Sequence, residues 1–168
     1  MKHLAHLVLI TLVAGAFFAL MVFVQQDLVL YETVVPPADV TLEEWLDSFR
    51  RWGTTGLAFS LAAGVGWYAL GQWGFRLDAL RETSKRPLWG LFFLLPLLGV
   101  ILGIVLTQRA QEGGALAYLF YFINGMSSYY LETALFSPSA FKYTPIGASK
   151  IRRWNLTFSI QIDSDRDE

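Results

Sequence analysis

Three long stretches without a charge constrain this chain more than anything else. No Asp, Glu, Lys or Arg occurs between Arg51 and Arg76, between Pro87 and Gln108, or between Gly113 and Leu131. A helix needs about 20 consecutive, mostly apolar residues to cross the hydrocarbon core of a bilayer. Together with the apolar run at the amino end, the pattern predicts four spans, at 4–24, 54–74, 88–107 and 114–136. Composition agrees: of 168 residues 54% are hydrophobic and 16% charged, whereas soluble domains carry about 25% charged residues. Too few residues remain for a separate soluble domain of ordinary size. The expected fold is therefore an all-α integral membrane protein. Residues 1–136 form a four-helix transmembrane domain and residues 137–168 a short tail. With no cysteine, no disulfide supports it.

The opening "MKHLAHLVLITLVAGA" resembles a cleavable signal, with a basic start, an apolar run and a small-residue end at Ala14, Gly15 and Ala16. The apolar run continues through "FFALMVFV" to a length that spans, so it is read as a retained helix. Lys and Arg near helix ends resist translocation and set orientation. Arg76, Arg81, Lys85 and Arg86 follow the second span, and Lys142, Lys150, Arg152 and Arg153 follow the fourth. Lys2 joins that side, whereas the other side holds Arg50, Arg51 and Arg109. Both termini are accordingly expected in the cytoplasm, with the chain in a membrane of the bacterial inner-membrane type.

Between the first two spans, "VVPPADV" is a stiff extended turn, since paired prolines cannot sit inside a helix. "TLEEWLDSFRRW" follows, over 41–52. Thr41 and Glu44 have capping-box spacing, and Leu42, Trp45, Leu46, Phe49 and Trp52 share one helical face. This predicts an amphipathic helix, most simply lying on the outer membrane surface with its tryptophans at headgroup level, or else running on into the second span; docking to an external partner is the alternative use of that face.

Glycines mark where helices approach. Gly56, Ser60 and Gly64 recur at every fourth residue of the second span, and Gly71 returns to the same face. Gly99 and Gly103 repeat the spacing in the third. Small residues so spaced let backbones come close, because packing drives helix association in lipid. Within one bundle or between subunits, the spacing is the same. Pro96 leaves the Phe92 carbonyl without its helical partner, which predicts a kink.

The fourth span, containing "YFINGMSSYYLETALF", is apolar yet carries polar groups. At about 100° per residue Asn124, Ser128 and Glu132 fall on one line, flanked by Tyr121 and Ser127. Intramembrane ionisable residues face protein or water rather than lipid. Two uses follow: hydrogen-bonded glue between helices, or the lining of a wet path with Glu132 as its ionisable gate. Under the second alone, Glu132→Gln alters ion or proton flux.

After the fourth span, "SPSAFKYTPIGASKIRRW" alternates basic and aromatic residues, broken by Pro138, Pro145 and Gly147. It fits a lipid-contacting, positively charged edge; a phosphate site is the weaker reading, for no glycine-rich strand-to-helix loop accompanies it. Beyond Trp154, Leu156, Phe158, Ile160 and Ile162 alternate with polar residues. That predicts one strand whose unpaired edge needs a partner protein or a second copy. A disordered acidic tail is the alternative. Asn155, Leu156 and Thr157 form a glycosylation triplet on the side where it would not be used.

Catalysis needs clustered acids, bases, nucleophiles or metal ligands. The two histidines, His3 and His6, lie together at the amino end, and no phosphate loop, nucleophile elbow or carboxylate pair appears. A non-enzymatic membrane subunit without cofactor or metal is therefore expected. It would anchor or signal to a cytoplasmic partner within a multiprotein complex, of secretion, envelope or anti-phage type, and no direct nucleic-acid contact is expected. The alternative is a small homo-oligomeric channel lined by the polar face of the fourth helix.

Overall fold

The computed structural model describes residues 2–73, 82–107, 109–136 and 144–151, and of Lys2, His3, Trp73 and residues 82–84 only the backbone. Nearly all of these residues are helical. α1 (Lys2–Ala19) runs without a break into a π-helical stretch (Leu20–Leu30) and one further turn, α2 (Tyr31–Thr33). α3 (Leu42–Trp73), α4 (Glu82–Phe92), α5 (Leu94–Leu106) and α6 (Gly114–Phe136) complete the order. Among the described residues there is no strand, only an isolated bridge between Val35 and Glu112.

Among the described residues two helices are long and apolar enough to cross a membrane, over Leu4–Thr33 and Lys85–Leu106. Only 17% and 22% of their most apolar windows are buried inside the chain. Leu4, Val8, Leu12 and Phe23 on the first, and Leu94, Ile101 and Val105 on the second, point outward. Water does not tolerate apolar faces of that extent on a monomer, so the pattern points to a membrane protein. α3 and α6 are helical where spans were expected, but their Trp, Gly, Ser and amide content makes them less apolar. They are also the helices that other helices cover, and α3 packs against α1, α5 and α6.

The first segment outruns its expected end at Val24. Its helix widens to an i→i+5 pattern, seen where the Tyr31 N–H bonds the Gln26 carbonyl, and π-helical turns are uncommon and favour functional positions. It need not stop at Gln25 and Gln26, because both are buried within the bundle.

α3 begins as its sequence directs. Glu44 Oε2 accepts from the Thr41 N–H (3.0 Å) and the Thr41 hydroxyl (2.9 Å), and Thr41 Oγ1 accepts from the Glu44 N–H at 3.3 Å. This closes a capping box. The amphipathic helix expected over 41–52 runs on into the second expected span, as one of its two readings allowed: it forms the first turns of a single 32-residue helix. Trp45, Leu46 and Phe49 are buried against Met21, Leu30 and Val34, with Trp52 half-buried beside them. A face of aromatic residues gains more from close-packed neighbours than from headgroups. The helix continues through Gly53, where Met21 and Tyr121 occupy the space a side chain would need.

The third apolar segment is divided. α4 starts at Glu82 rather than near 88 and ends at Phe92, and α5 restarts at Leu94 with Pro96 in its first turn. The break falls beside the carbonyl that Pro96 leaves without a donor. At one end of the bundle, Val35 exchanges backbone hydrogen bonds with Gln111 and Glu112, which joins the loop after α2 to the loop after α5. At the other end, Tyr130 on α6 donates to the Ile146 carbonyl at 2.7 Å, and Ala148 is fully buried. This seats residues 144–151 on the bundle. The alternating segment 156–162 lies outside the described residues.

Candidate functional site

The most distinctive feature of the interior is a line of buried polar groups along α6, met by side chains from the π-helical stretch, from α3 and α4, and from Thr107 just after α5. Helix periodicity alone brings Tyr121, Asn124, Ser128 and Glu132 to one face, since they lie three or four residues apart. All four are buried, while Ser127, at the edge of the face, is half-buried.

Tyr121 stacks on Phe49 of α3 with centroids 5.0 Å apart. Its hydroxyl donates to the Phe49 carbonyl at 3.1 Å and lies 2.6 Å from Thr107 Oγ1. With the phenol proton on Phe49, Thr107 is the donor in the shorter contact. One turn along, the Asn124 and Gln25 amides bond reciprocally, at 3.0 Å and 2.7 Å. Each supplies the other's donor and acceptor in a place without water, where an unpaired amide costs about 1–3 kcal/mol. Ser60 of α3 donates to the Gly125 carbonyl at 3.1 Å.

Further along, Ser128 donates to Glu132 Oε1 at 2.7 Å. Glu132 is 1% exposed, and among the described residues its Oε2 has no hydrogen-bond partner, nor does the buried Gln26 Oε1 of the π-helical stretch. Beside them, the Trp89 indole of α4 donates to Thr133 Oγ1 at 3.0 Å, and the Tyr129 hydroxyl donates to the Trp89 carbonyl at 3.0 Å. The Trp89 and Tyr129 rings stack at 5.2 Å. This aromatic clasp holds α4 to α6.

The small residues shape the same interior. A Cβ on Gly99 would sit 2.8 Å from the Gly56 Cα, so α3 and α5 cross backbone to backbone there. A Cβ on Gly64 would overlap the Glu132 carboxylate, and one on Gly103 would press on the Tyr121 ring at 3.0 Å. Gly56, Ser60 and Gly64 thus admit α5 and α6 of the same chain, whereas Gly71 is half-buried near the end of α3.

The basic residues divide differently. Lys85 is buried at 4% exposure, so it is not the exposed contact residue that its loop position suggested. Lys side chains bury their long stems readily when the amine finds partners. Arg86 and Lys150 are exposed. Arg76, Arg81, Lys142, Arg152, Arg153, Trp154, Leu156, Phe158, Ile160 and Ile162 lie outside the described residues. His6 stacks on Tyr68 at 5.5 Å, and among the described residues no three His, Asp or Glu side chains cluster as a metal site would require.

Gln25, Gln26, Thr107, Trp89, Tyr129 and Thr133 were missed by sequence reasoning. A glutamine pair ending an apolar run was a usable signal, because polar residues at membrane depth seek interhelical partners. The aromatic clasp had none, since tryptophan and tyrosine near helix ends suit a membrane interface equally well. Comparison with protein-family models, curated proteins and solved structures finds no match to this chain.

Proposed function

We propose that this chain is a non-enzymatic integral membrane subunit whose basic segment from Arg76 to Arg86 and tail from Lys142 to Ile162 contact a cytoplasmic protein partner and membrane lipid, so that it anchors or signals within a larger complex. In this reading the Leu4–Thr33 segment, α3, the α4–α5 pair and α6 are four spans of a bacterial inner membrane, with both termini cytoplasmic. The 32 residues of α3 make a helix of about 48 Å, longer than a hydrocarbon core of about 30 Å. Its capped first turns then stand outside the core.

One observation carries the proposal. The tail base is seated on α6 through the Tyr130 bond to Ile146, with Ala148 buried beneath. A partner held by the tail is thereby coupled to the helix that carries the buried polar line. The polar line itself supports a packing role. In a pore between copies, Asn124, Ser128 and Glu132 would face a shared path, and their burial within one chain counts against that arrangement.

Native mass spectrometry of the protein extracted gently from its host, beside a form ending at Trp154, tests this. A second protein species present with the full chain and absent from the shortened one is the expected result. A homo-oligomer indifferent to the tail and free of partners would overturn it in favour of the channel.

A further inference from the structure

α4 and α5 come from one apolar segment, yet the two are fixed in different ways. Phe93 alone separates them, and Pro96 cannot supply the donor that the Phe92 carbonyl would take in a continuous helix. α5 is anchored along its length. Pro96, Gly99, Val100 and Gly103 are buried, and its backbone crosses that of α3 at Gly56. Among the described side chains of α4, residues 85–92, Lys85 alone is buried.

Two aromatic residues hold the rest of α4 to the bundle. The Trp89 indole donates to Thr133 Oγ1 of α6 at 3.0 Å. Its carbonyl accepts the Phe93 N–H at 3.1 Å and, on the second lone pair, the Tyr129 hydroxyl at 3.0 Å. Phe92 meets Trp67 of α3 edge-on at 5.9 Å, in a notch at Gly66 where a Cβ would come 2.9 Å from its ring. All these attachments are made by side chains, so they can open without breaking the backbone ladder of either helix. The junction itself is pinned: the Phe93 ring lies 6.1 Å from that of Tyr129, and its carbonyl keeps the Leu97 N–H at 3.3 Å.

We propose that α4 is a hinged arm that pivots at Phe93 and is latched to α6 by Trp89. A helix bends readily beside a proline because one rung of its ladder is already missing, and hinges are the few element-end residues that absorb such a change. The stretch from Phe93 to Arg86 is a lever of about 10 Å. A swing of about 25° therefore carries Arg86 about 4–5 Å while α5 stays in place. Release draws Lys85 outward, and its long stem lets the amine reach the headgroup layer. α4 also contains the end of the basic segment from Arg76 to Arg86, so a partner bound there would act on the latch. That coupling rests on the function proposed above, whereas the arm rests on contacts within the chain and is measured without a partner.

The chain has no cysteine, so spin labels attach only where one is introduced. Ala62→Cys on α3 with Arg86→Cys reports on α4, and Ala62→Cys with Val105→Cys reports on α5; all three positions are exposed. Distances are measured by double electron resonance on the full-length protein in micelles. Trp89→Phe with Tyr129→Phe removes both latch donors and keeps the rings. The expected result is one principal distance for each pair in the otherwise unaltered chain. In the latch variant a second population appears for the Arg86 pair, displaced by about 4–5 Å, while the Val105 pair is unchanged. Adding Pro96→Ala, which returns an N–H to the Phe92 carbonyl, should shrink that second population. An Arg86 distance indifferent to the latch variant would overturn the proposal. So would equal shifts of both pairs, which mean a loosened bundle, or a second population that Pro96→Ala leaves intact.

Discussion

Gln25 of the π-helical stretch and Asn124 of α6 are 99 residues apart in the chain and exchange two side-chain hydrogen bonds, at 3.0 and 2.7 Å. Neither amide has water to turn to, at 5% and 2% exposure. Replacing one partner therefore strands the other.

Gln25→Leu is expected to lower stability by about 1–2 kcal/mol, chiefly the cost of the orphaned Asn124. Adding Asn124→Leu should recover part of that loss, because two apolar side chains leave nothing unpaired. Reversible unfolding of both single variants and the double variant in mixed micelles measures the coupling. Strict additivity would show that the two amides do not act as a pair.

The Gly56–Gly99 crossing allows a comparison between two glycines of the same apolar segment. Gly99→Ala puts a methyl 2.8 Å from the Gly56 Cα, which is backbone and cannot turn aside. Separating α3 from α5 should cost about 1–3 kcal/mol. Gly90→Ala meets nothing within 4 Å and should be neutral or stabilising by up to about 1 kcal/mol through helix propensity. Melting temperatures of the two variants in one detergent decide the matter; equal values would contradict the crossing.

Tyr121→Phe keeps the ring stacked on Phe49 while deleting the hydroxyl that serves Thr107 and the Phe49 carbonyl. A loss of about 1–2 kcal/mol is expected, chiefly from Thr107, because the Phe49 carbonyl keeps its partner within α3. Hydrogen exchange should rise most around residues 107–113, where Thr107 ties the loop to the bundle. Exchange that rises evenly along α6 would instead indicate a packing defect.

The capping box at the start of α3 has a defined pH response. Backbone and side-chain hydrogen bonds from Thr41 hold the Glu44 carboxyl below its ordinary value of 4.5. A lowered folded-state value means that the ionised form is favoured by folding, so its contribution is fully present above about 4.5 and is lost as pH falls through the lower folded value. Amide exchange in the first turn of α3 should accelerate below that point in the wild type and show no such step in Glu44→Gln. A step that persists in the variant would assign the response to another group.

Much of the local structure was legible in the residues. Thr41 and Glu44 announced the start of α3, Pro96 the interruption near Phe92, and the uncharged run from Gly113 the extent of α6. Each rests on bonds or clashes within one or two turns, where spacing along the chain is spacing in space. The fate of Trp45 was not legible, because the same amphipathic face serves a headgroup layer or a helix bundle equally well. Lys85 was misplaced for a related reason: a loop charge reads as exposed until neighbouring elements close over it.

By itself the sequence determined that the chain would form long apolar helices with polar groups gathered on one face of α6, since hydropathy and the 3.6-residue period are local properties. Only the tertiary structure decided that Asn124 meets Gln25, that Gly99 meets Gly56 and that Glu132 meets bare backbone at Gly64. Those meetings depend on the register between helices. Register is set by the sum of many weak contacts across interfaces, and no single spacing in the chain encodes it.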